Sequence, residues 1–251
     1  DENLLETTIG YEQLAVDLTA FLAQKVSDKN IKNALDFALL EDFDHLYRYA
    51  NLLESDMNLK AEDYVGDYTE IMPARPTIAH HRHPYDSVKN PICNKKATPF
   101  DKCAVNIITA AEQQTMNYYM NLGGFYKNQK GRKIYTEIAM VEEQHVTHYG
   151  SLIDPTASWF EMCLMHEYTE CYLYYSMLND ESDKNIKTIW EKLLEQEISH
   201  LHTAAKNLKK YEKKEWQEVI PDGKFPELIT LKSNINYIRN IIKDTIENTA
   251  N

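Results

Sequence analysis

Three sets of acidic and histidine residues repeat along this chain with the same spacing. In each set a glutamate is followed thirty residues later by a second acid and, three residues after that, by a histidine. The sets are Glu12, Asp42, His45; Glu112, Glu142, His145; and Glu167, Glu197, His200. Carboxylates and imidazoles in this pattern are typical of a site for two metal ions inside a helical bundle.

A second similarity supports a repeated structural unit. A shift of 155 residues places residues 27–32 on residues 182–187, and both stretches read Ser-Asp-Lys-Asn-Ile-Lys. The same shift places Glu12 on Glu167 and His45 on His200. We therefore predict one helical hairpin used three times, with a carboxylate on its first helix and an acid-x-x-His pair on its second.

The composition predicts an all-α protein. Seven glycines and eight prolines in 251 residues, with abundant Leu, Ala, Glu and Lys, favour long helices, and the periodicity predicts seven of them. The site candidates occupy apolar stripes with helical spacing, for example Ile31, Leu35, Ala38, Asp42, His45, Tyr49 and Leu52, or Phe160, Leu164, Glu167, Cys171, Tyr174 and Leu178. All nine candidates are therefore predicted to point inward.

Inward-facing carboxylates need compensation. They lose hydration and repel one another, and a pair of divalent cations is the usual way to keep several of them charged in one cavity. Imidazole with carboxylate oxygen suits iron or manganese, so we expect two Fe or Mn ions per centre as the cofactor. The alternative is a buried polar network without metal.

The chain resembles the ferritin-like superfamily and, within it, the rubrerythrin-like di-iron carboxylate proteins. The resemblance covers about residues 1–210 and rests on the three sets and on the stretch Ala-Met-Val-Glu-Glu-Gln-His at residues 139–145. It implies an up-down helical bundle and redox chemistry with a small oxidant, peroxide or dioxygen. Whether the chain is an enzyme stays open, because metal binding or iron storage without turnover and hydroxylation of an organic substrate are alternatives.

The sequence departs from the family pattern in three ways. There are three hairpins where the family uses two, so one ligand set is surplus to a single centre. Asp42 stands where the pattern has glutamate, with Glu41 beside it as a possible but misdirected substitute. The chain has four cysteines and no Cys-x-x-Cys, so a rubredoxin-type site is absent and an external electron donor is expected.

The predicted division of the chain follows the hairpins. The helical domain is 1–210, with hairpins 1–55, 101–154 and 155–210 and crossover 56–100, and a C-terminal turn and amphipathic helix occupy 211–251. The long crossover allows the first two hairpins to run antiparallel, which favours pairing them around the centre. The third set is then a partial site, a site completed by another subunit or a substitute for the second set.

Other residues near the motifs have two interpretations each. His80, His81 and His83 in the crossover form an accessory metal site or lid, or else a solvated loop. His148 is an extra ligand or a hydrogen-bond partner of one. Tyr49 and Tyr149 are redox relays or ordinary core residues, and Glu143 and Glu170 are expected to face solvent or to support a ligand.

Charge and hydropathy limit the partners. The net charge of −12 argues against nucleic acid or an anionic membrane as the main partner, and no apolar run approaches the roughly 20 residues of a membrane span. Sparse cysteines suggest a reducing, cytoplasmic setting. The apolar face of the tail helix, predicted from Leu228, Leu231, Ile235, Ile238, Ile242 and Ile246, is expected to pack on the bundle or on a second subunit, and we expect a homo-oligomer such as a dimer.

Overall fold

The computed structural model describes residues 3–73 and 82–245, and these residues form helices, turns and irregular segments but no strand. The α-helices are α1 (Leu4–Lys25), α2 (Lys29–Met57), α3 (Glu62–Val65), α4 (Pro99–Gly123), α5 (Gln129–Gly150), α6 (Trp159–Asp180), α7 (Lys184–Asn207) and α8 (Ile235–Lys243). The predicted all-α class is confirmed. One helix more than predicted is present, because the crossover contains the single turn α3. Within the described ranges, no helix has the length and apolarity to cross a membrane.

The repeated six-residue stretch forms the same helix start in both copies. Asp28 caps α2 by accepting a hydrogen bond from the N–H of Asn30 at 2.7 Å, and Asp183 caps α7 by accepting one from the N–H of Asn185 at 2.7 Å. The two aspartates have nearly the same backbone angles, φ −79° and ψ 126° against φ −78° and ψ 124°. Such a cap satisfies N–H groups that the helix itself leaves unpaired, so one local sequence produces the same turn twice.

The chain divides into two compact units. The first comprises residues 1–90, 108–152 and 232–251, and the second comprises 91–107 and 153–231. The start of α4 belongs to the second unit and the rest of α4 to the first. The first unit therefore contains the first hairpin and most of the second, whereas the second unit contains the third hairpin.

The core of the first unit lies between α1, α2 and α5. α1 packs along α2, and α2 also contacts α5 and α8. Leu5, Ile9 and Val16 of α1 and the rings of Tyr49 and Tyr135 are among its buried residues. Burial of several such side chains, each contributing about 1.5–3 kcal/mol, holds the faces of α1, α2 and α5 together.

The tail helix is shorter than predicted. It begins at Ile235, so Leu228 and Leu231 lie in the irregular segment before it, and Ile246 lies outside the described residues. The prediction was wrong for Leu228 and Leu231 because apolar residues at helical spacing also occur in an extended segment that packs on α6. Ile238 and Ile241 are buried in the core of the first unit.

The described parts of the crossover attach to α1 and to the end of α5. Thr69 donates a hydrogen bond to the Asp17 carboxylate at 2.9 Å, and the N–H of Lys89 donates to the Ser151 hydroxyl at 2.8 Å. His80 and His81 lie outside the described residues. His83 is exposed, and its ring accepts the N–H of Tyr85 at 3.3 Å.

The second unit is built on the α6–α7 hairpin. One face of α6 is buried and carries Met165, Tyr168 and Tyr172. The segment after α7 returns along this face, where the ring centroid of Phe225 lies 5.3 Å from that of Tyr168 and 5.9 Å from that of Tyr172. The hydroxyl of Tyr172 donates to the carbonyl of Glu227 at 2.6 Å.

Candidate metal centre

Six of the nine predicted residues come together in the first unit, on α1, α2, α4 and α5. Their ligand atoms form two overlapping groups, and within each group the atoms lie within 4.8 Å of one another. One group is Asp42, Glu112, Glu142 and His145, and the other is Glu12, His45 and Glu142. We call these six residues the buried cluster, because none of them is more than 2% exposed.

Glu142 belongs to both groups. Its Oε1 lies 2.8 Å from Nδ1 of His45, and its Oε2 lies 3.1 Å from Nδ1 of His145. The contact with His45 is short but lacks the geometry of a hydrogen bond, since neither ring nitrogen of His45 has a hydrogen-bond partner in the described part of the chain. A carboxylate with one oxygen toward each imidazole is positioned as a bridging ligand would be.

Two other carboxylates are held by one oxygen and free at the other. Tyr119 donates its hydroxyl proton to Oε1 of Glu12 at 2.5 Å, while Oε2 of Glu12 has no hydrogen bond. Thr19 donates to Oδ2 of Asp42 at 3.1 Å, while Oδ1 lies 3.5 Å from Nδ1 of His145 without a hydrogen bond. The donors Tyr119 and Thr19 therefore fix each carboxylate and leave one of its oxygens for a ligand.

Glu41 lies on the other side of His145. Oε2 of Glu41 is 2.7 Å from Nε2 of His145 and also accepts a hydrogen bond from the Gln144 amide at 3.4 Å. Glu41 is therefore a partner of the imidazole and no substitute for Asp42, because adjacent helix positions point in directions about 100° apart. Sequence reasoning assigned no role to Tyr119 or Thr19, although each stands seven residues after the first glutamate of its set and this equivalence could have pointed to them.

The electrostatics of the buried cluster favour bound cations. Burial and the charge of Glu142 raise the pKa of Glu12 well above its usual range and that of Glu112 to about 7. Burial lowers the pKa of His45 to about 3. Burial also acts to lower the pKa of His145, but the charge of Glu112 and hydrogen bonds to carboxylates outweigh it and the pKa is raised. Without a cation, the buried cluster must retain protons.

Two divalent cations fit this set of residues. Among the described residues, the only basic groups within salt-bridge distance of the four carboxylates are His45 and His145. Both oxygens of Glu112 also lack hydrogen bonds, and each such buried atom costs about 1–3 kcal/mol. Four carboxylates carry four negative charges, which two divalent cations balance if both imidazoles are neutral.

The third set comes together but is exposed. Nδ1 of His200 lies 3.0 Å from an oxygen of Glu197 and 3.8 Å from one of Glu167. The side chain of His200 is 58% exposed, and those of Glu167 and Glu197 are 23% and 18% exposed. We call these three residues the exposed cluster. The prediction that all nine residues point inward is wrong for His200, and Glu167 and Glu197 are only partly buried.

The reason is how little of the α6–α7 hairpin is covered beside these residues. On α6, Leu164 and Cys171 are buried one turn before and one turn after Glu167, as are Met165, Tyr168 and Tyr172. On α7, Ala204, one turn after His200, is the only buried residue within Lys184–Asn207. No described element buries the side of this hairpin that carries the exposed cluster.

The remaining candidates take several positions. His148 is buried near the cluster but belongs to neither ligand group. The hydroxyls of Tyr49 and Tyr149 are buried without a hydrogen-bond partner in the described chain, so these are not fully satisfied core tyrosines. Glu143 is exposed and Glu170 is half-buried.

Comparison with known proteins gives no match: neither a protein-family model, nor a curated protein, nor a solved structure matches this chain. The resemblance to ferritin-like proteins therefore depends on motif spacing alone, and the chemistry must be argued from the residues of the site.

Proposed function

We propose that this chain is a dinuclear carboxylate metalloprotein of the ferritin-like, rubrerythrin-like type. It binds two iron or manganese ions at the buried cluster and reduces peroxide or dioxygen. The observation that carries the proposal is Glu142, whose two oxygens face His45 and His145 among four buried carboxylates. The proposed ligands are Glu12, Asp42, His45, Glu112, Glu142 and His145.

When bound, a pair of iron or manganese ions supplies one-electron redox steps toward a small oxidant. The residues of the chain orient the ligands. Glu41 accepts the Nε2 proton of His145 at 2.7 Å, which selects the tautomer whose Nδ1 lone pair faces the carboxylates. Tyr119 and Thr19 hold Glu12 and Asp42 through one oxygen each, so those carboxylates need little reorganisation to bind metal.

Two tyrosines are placed to handle protons. Tyr49 and Tyr149 each lie one helical turn after a proposed histidine ligand, and their hydroxyl protons have no acceptor among the described residues. Reduction of peroxide to two waters consumes two electrons and two protons. We propose that these hydroxyls hydrogen-bond the oxidant, and that the electrons come from a separate donor protein.

Metal content tests the binding part of the proposal. Inductively coupled plasma mass spectrometry on protein purified without chelators should find about two Fe or Mn ions per chain. His45→Ala and His145→Ala should lose them, and the matched variant His200→Ala in the exposed cluster should keep them. No metal in any preparation, together with no uptake of added Fe²⁺ or Mn²⁺, would leave a buried polar network and contradict the proposal.

Peroxide consumption tests the catalytic part. Anaerobic protein loaded with Fe²⁺ should consume about one hydrogen peroxide per two ferrous ions, since each peroxide takes two electrons. Tyr49→Phe and Tyr149→Phe should keep the metal and slow the reaction. Metal that is bound at full stoichiometry but does not react with peroxide or dioxygen would support the alternative, a metal-binding or storage protein.

A further inference from the structure

A recess in the first unit opens beside the buried cluster. Its volume is about 190 Å³, more than ten times the roughly 10–15 Å³ that one water requires. It is lined by Asn30, Asn33, Ala34, Phe37, Lys89, Asn90 and His148. The three asparagines are exposed at its rim, whereas Ala34, Phe37 and His148 are buried. The recess is therefore large enough for a small organic molecule.

His148 forms the inner wall of this recess. The residue is 1% exposed, and neither ring nitrogen has a hydrogen-bond partner among the described residues. The rings of Phe37 and Tyr149 pack against the His148 ring, and each of their centroids lies 5.7 Å from its centroid. Burial lowers the pKa of His148 to about 3, so the ring is neutral and offers one N–H donor. An unpartnered buried donor is costly, and a ligand that accepts from it removes that cost.

Positive charge gathers at the same place. Lys89 lines the recess, and the guanidinium of Arg82 lies 3.8 Å from the centre of the Phe37 ring. Burial lowers the pKa of Lys89, and the nearby charge of Arg82 lowers it further, while Asp86 acts in the opposite direction. The charges of Glu41 and Asp86 act on Arg82, so Lys89 is the cation that lines the recess beside the buried imidazole, and the group that complements both is an anion.

We propose that the recess binds a small carboxylic acid. Lys89 and the N–H of His148 bind the carboxylate, the rim asparagines supply further donors, and the apolar part of the ligand lies on Phe37 and Ala34. His148 is one helical turn beyond His145, and Phe37 is one turn before Glu41, so the site adjoins the buried cluster without including it. The proposal does not depend on metal at the buried cluster.

Benzoate and benzamide make a matched pair of probes, because they share a shape and differ in charge. Isothermal titration calorimetry on the full chain should show benzoate binding about tenfold more tightly than benzamide. Lys89→Gln should remove that preference, and Lys60→Gln, at an exposed lysine of the same unit, should retain it. Equal affinity for the two probes in the wild type would overturn the proposal.

His148→Phe preserves an aromatic ring and removes both nitrogens, and it should weaken benzoate about tenfold. If that variant does not fold, ¹⁵N-histidine spectra of the wild type serve instead: benzoate should shift the ring nitrogens of His148, and an unchanged His148 signal would refute the site. Chelator-treated protein should bind benzoate with unchanged affinity. Loss of binding on metal removal would mean that benzoate binds the metal ions and would also overturn the proposal.

Discussion

The buried cluster and the exposed cluster carry the same spacing and differ in what covers them. His45 is 0% exposed and burial lowers its pKa to about 3, whereas the side chain of His200 is 58% exposed and the hydrogen bond to Glu197 raises its pKa. Within the buried cluster the two histidines shift in opposite directions, because nearby carboxylates raise the pKa of His145, whereas in the exposed cluster the carboxylate of Glu197 outweighs burial at His200. The spacing brings the groups together, but desolvation decides how strongly their pKa values shift.

The largest expected difference between the two clusters concerns metal binding after the acid of the acid-x-x-His pair is changed. Glu142→Gln should abolish tight binding of both metal ions, because this side chain is shared by the two ligand groups. The matched variant Glu197→Gln should leave the tightly bound metal unchanged, since water already solvates the exposed cluster. Metal content after gel filtration measures both. Equal loss in the two variants would show that the clusters do not differ in the way their burial indicates.

Chelator-treated protein should lose stability as the pH rises from about 6.5 to 8.5. Glu112 has a pKa of about 7 in the folded chain against 4.5 ordinarily, so its contribution to stability is lost between about pH 4.5 and 7 and levels off above that, whereas the raised pKa values of Glu12 and Asp42 extend the loss to higher pH. The free energy of unfolding then falls with pH, by a few kcal/mol at most for a shift of this size. His145, whose pKa is also raised, acts in the same direction. The lowered pKa values of His45 and His148 act in the opposite direction, but only at pH values below the ordinary histidine pKa of 6.5.

Thermal unfolding followed by circular dichroism measures this slope. Glu112→Gln should flatten the part of the slope below about pH 7, and Glu167→Gln in the exposed cluster should leave the slope above pH 6.5 unchanged. Added Mn²⁺ should raise the melting temperature most at pH 8.5, where the carboxylates are ionised and available. A melting temperature that rises with pH across this range in the metal-free protein would contradict the assigned electrostatics.

A smaller effect on metal affinity is expected at Glu41, which contacts the proposed ligand His145. Glu41→Gln keeps the shape but weakens the acceptor for Nε2 of His145, and loss of such a partner typically costs about 10–100-fold in metal affinity. Glu143→Gln changes an exposed glutamate on the neighbouring helix and should change nothing. Competition with a chromophoric chelator gives the two affinities. If Glu41→Gln binds as tightly as wild type, the tautomer of His145 is set by another contact.

The smallest effect should come from the exposed cluster itself. Glu197→Gln should lower the pKa of His200 toward its ordinary value, because the hydrogen bond from His200 to this carboxylate is the main cause of the raised pKa. Histidine titration by NMR resolves this change. The melting temperature should not move beyond experimental scatter, since exposed ion pairs contribute little to stability. A large loss of stability would indicate that this face is covered in solution.

Local features of the fold were predictable from short stretches of sequence. The caps at Asp28 and Asp183 depend on side chains two residues from their partners, and the helical periodicity of α2 depends on residues three and four apart. On α6 the predicted positions Leu164 and Cys171 are buried, but the burial of Tyr168 and Tyr172 was not predictable in this way. Their rings pack against Phe225, which lies more than fifty residues further along the chain, and local periodicity carries no information about such a partner.

The residues of the site also divide into those that sequence patterns identified and those that only the structure revealed. Spacing identified the three sets, and the long crossover favoured pairing the first two around one centre, which gives the candidate ligands Glu12, Asp42, His45, Glu112, Glu142 and His145. The partners Tyr119 and Thr19 occupy equivalent positions, seven residues after Glu112 and Glu12, but the interval does not show which carboxylate each hydroxyl meets, because those hydrogen bonds run between helices. Glu41 stands outside the repeated positions. For Glu41 and Asp42 the sequence indicated only that they lie on different faces of α2, and it did not show which partner each one meets.

By itself the sequence determined that the chain is helical, where the repeated turns begin and which residues on each hairpin share a face. These properties follow from backbone hydrogen bonding and a fixed helical pitch, which act over a few residues. Only the tertiary structure decided which of the three sets is buried. Burial depends on which hairpin packs against another, and removal from water raises the cost of charge on a group of carboxylates and histidines, which is the basis for proposing a metal site there.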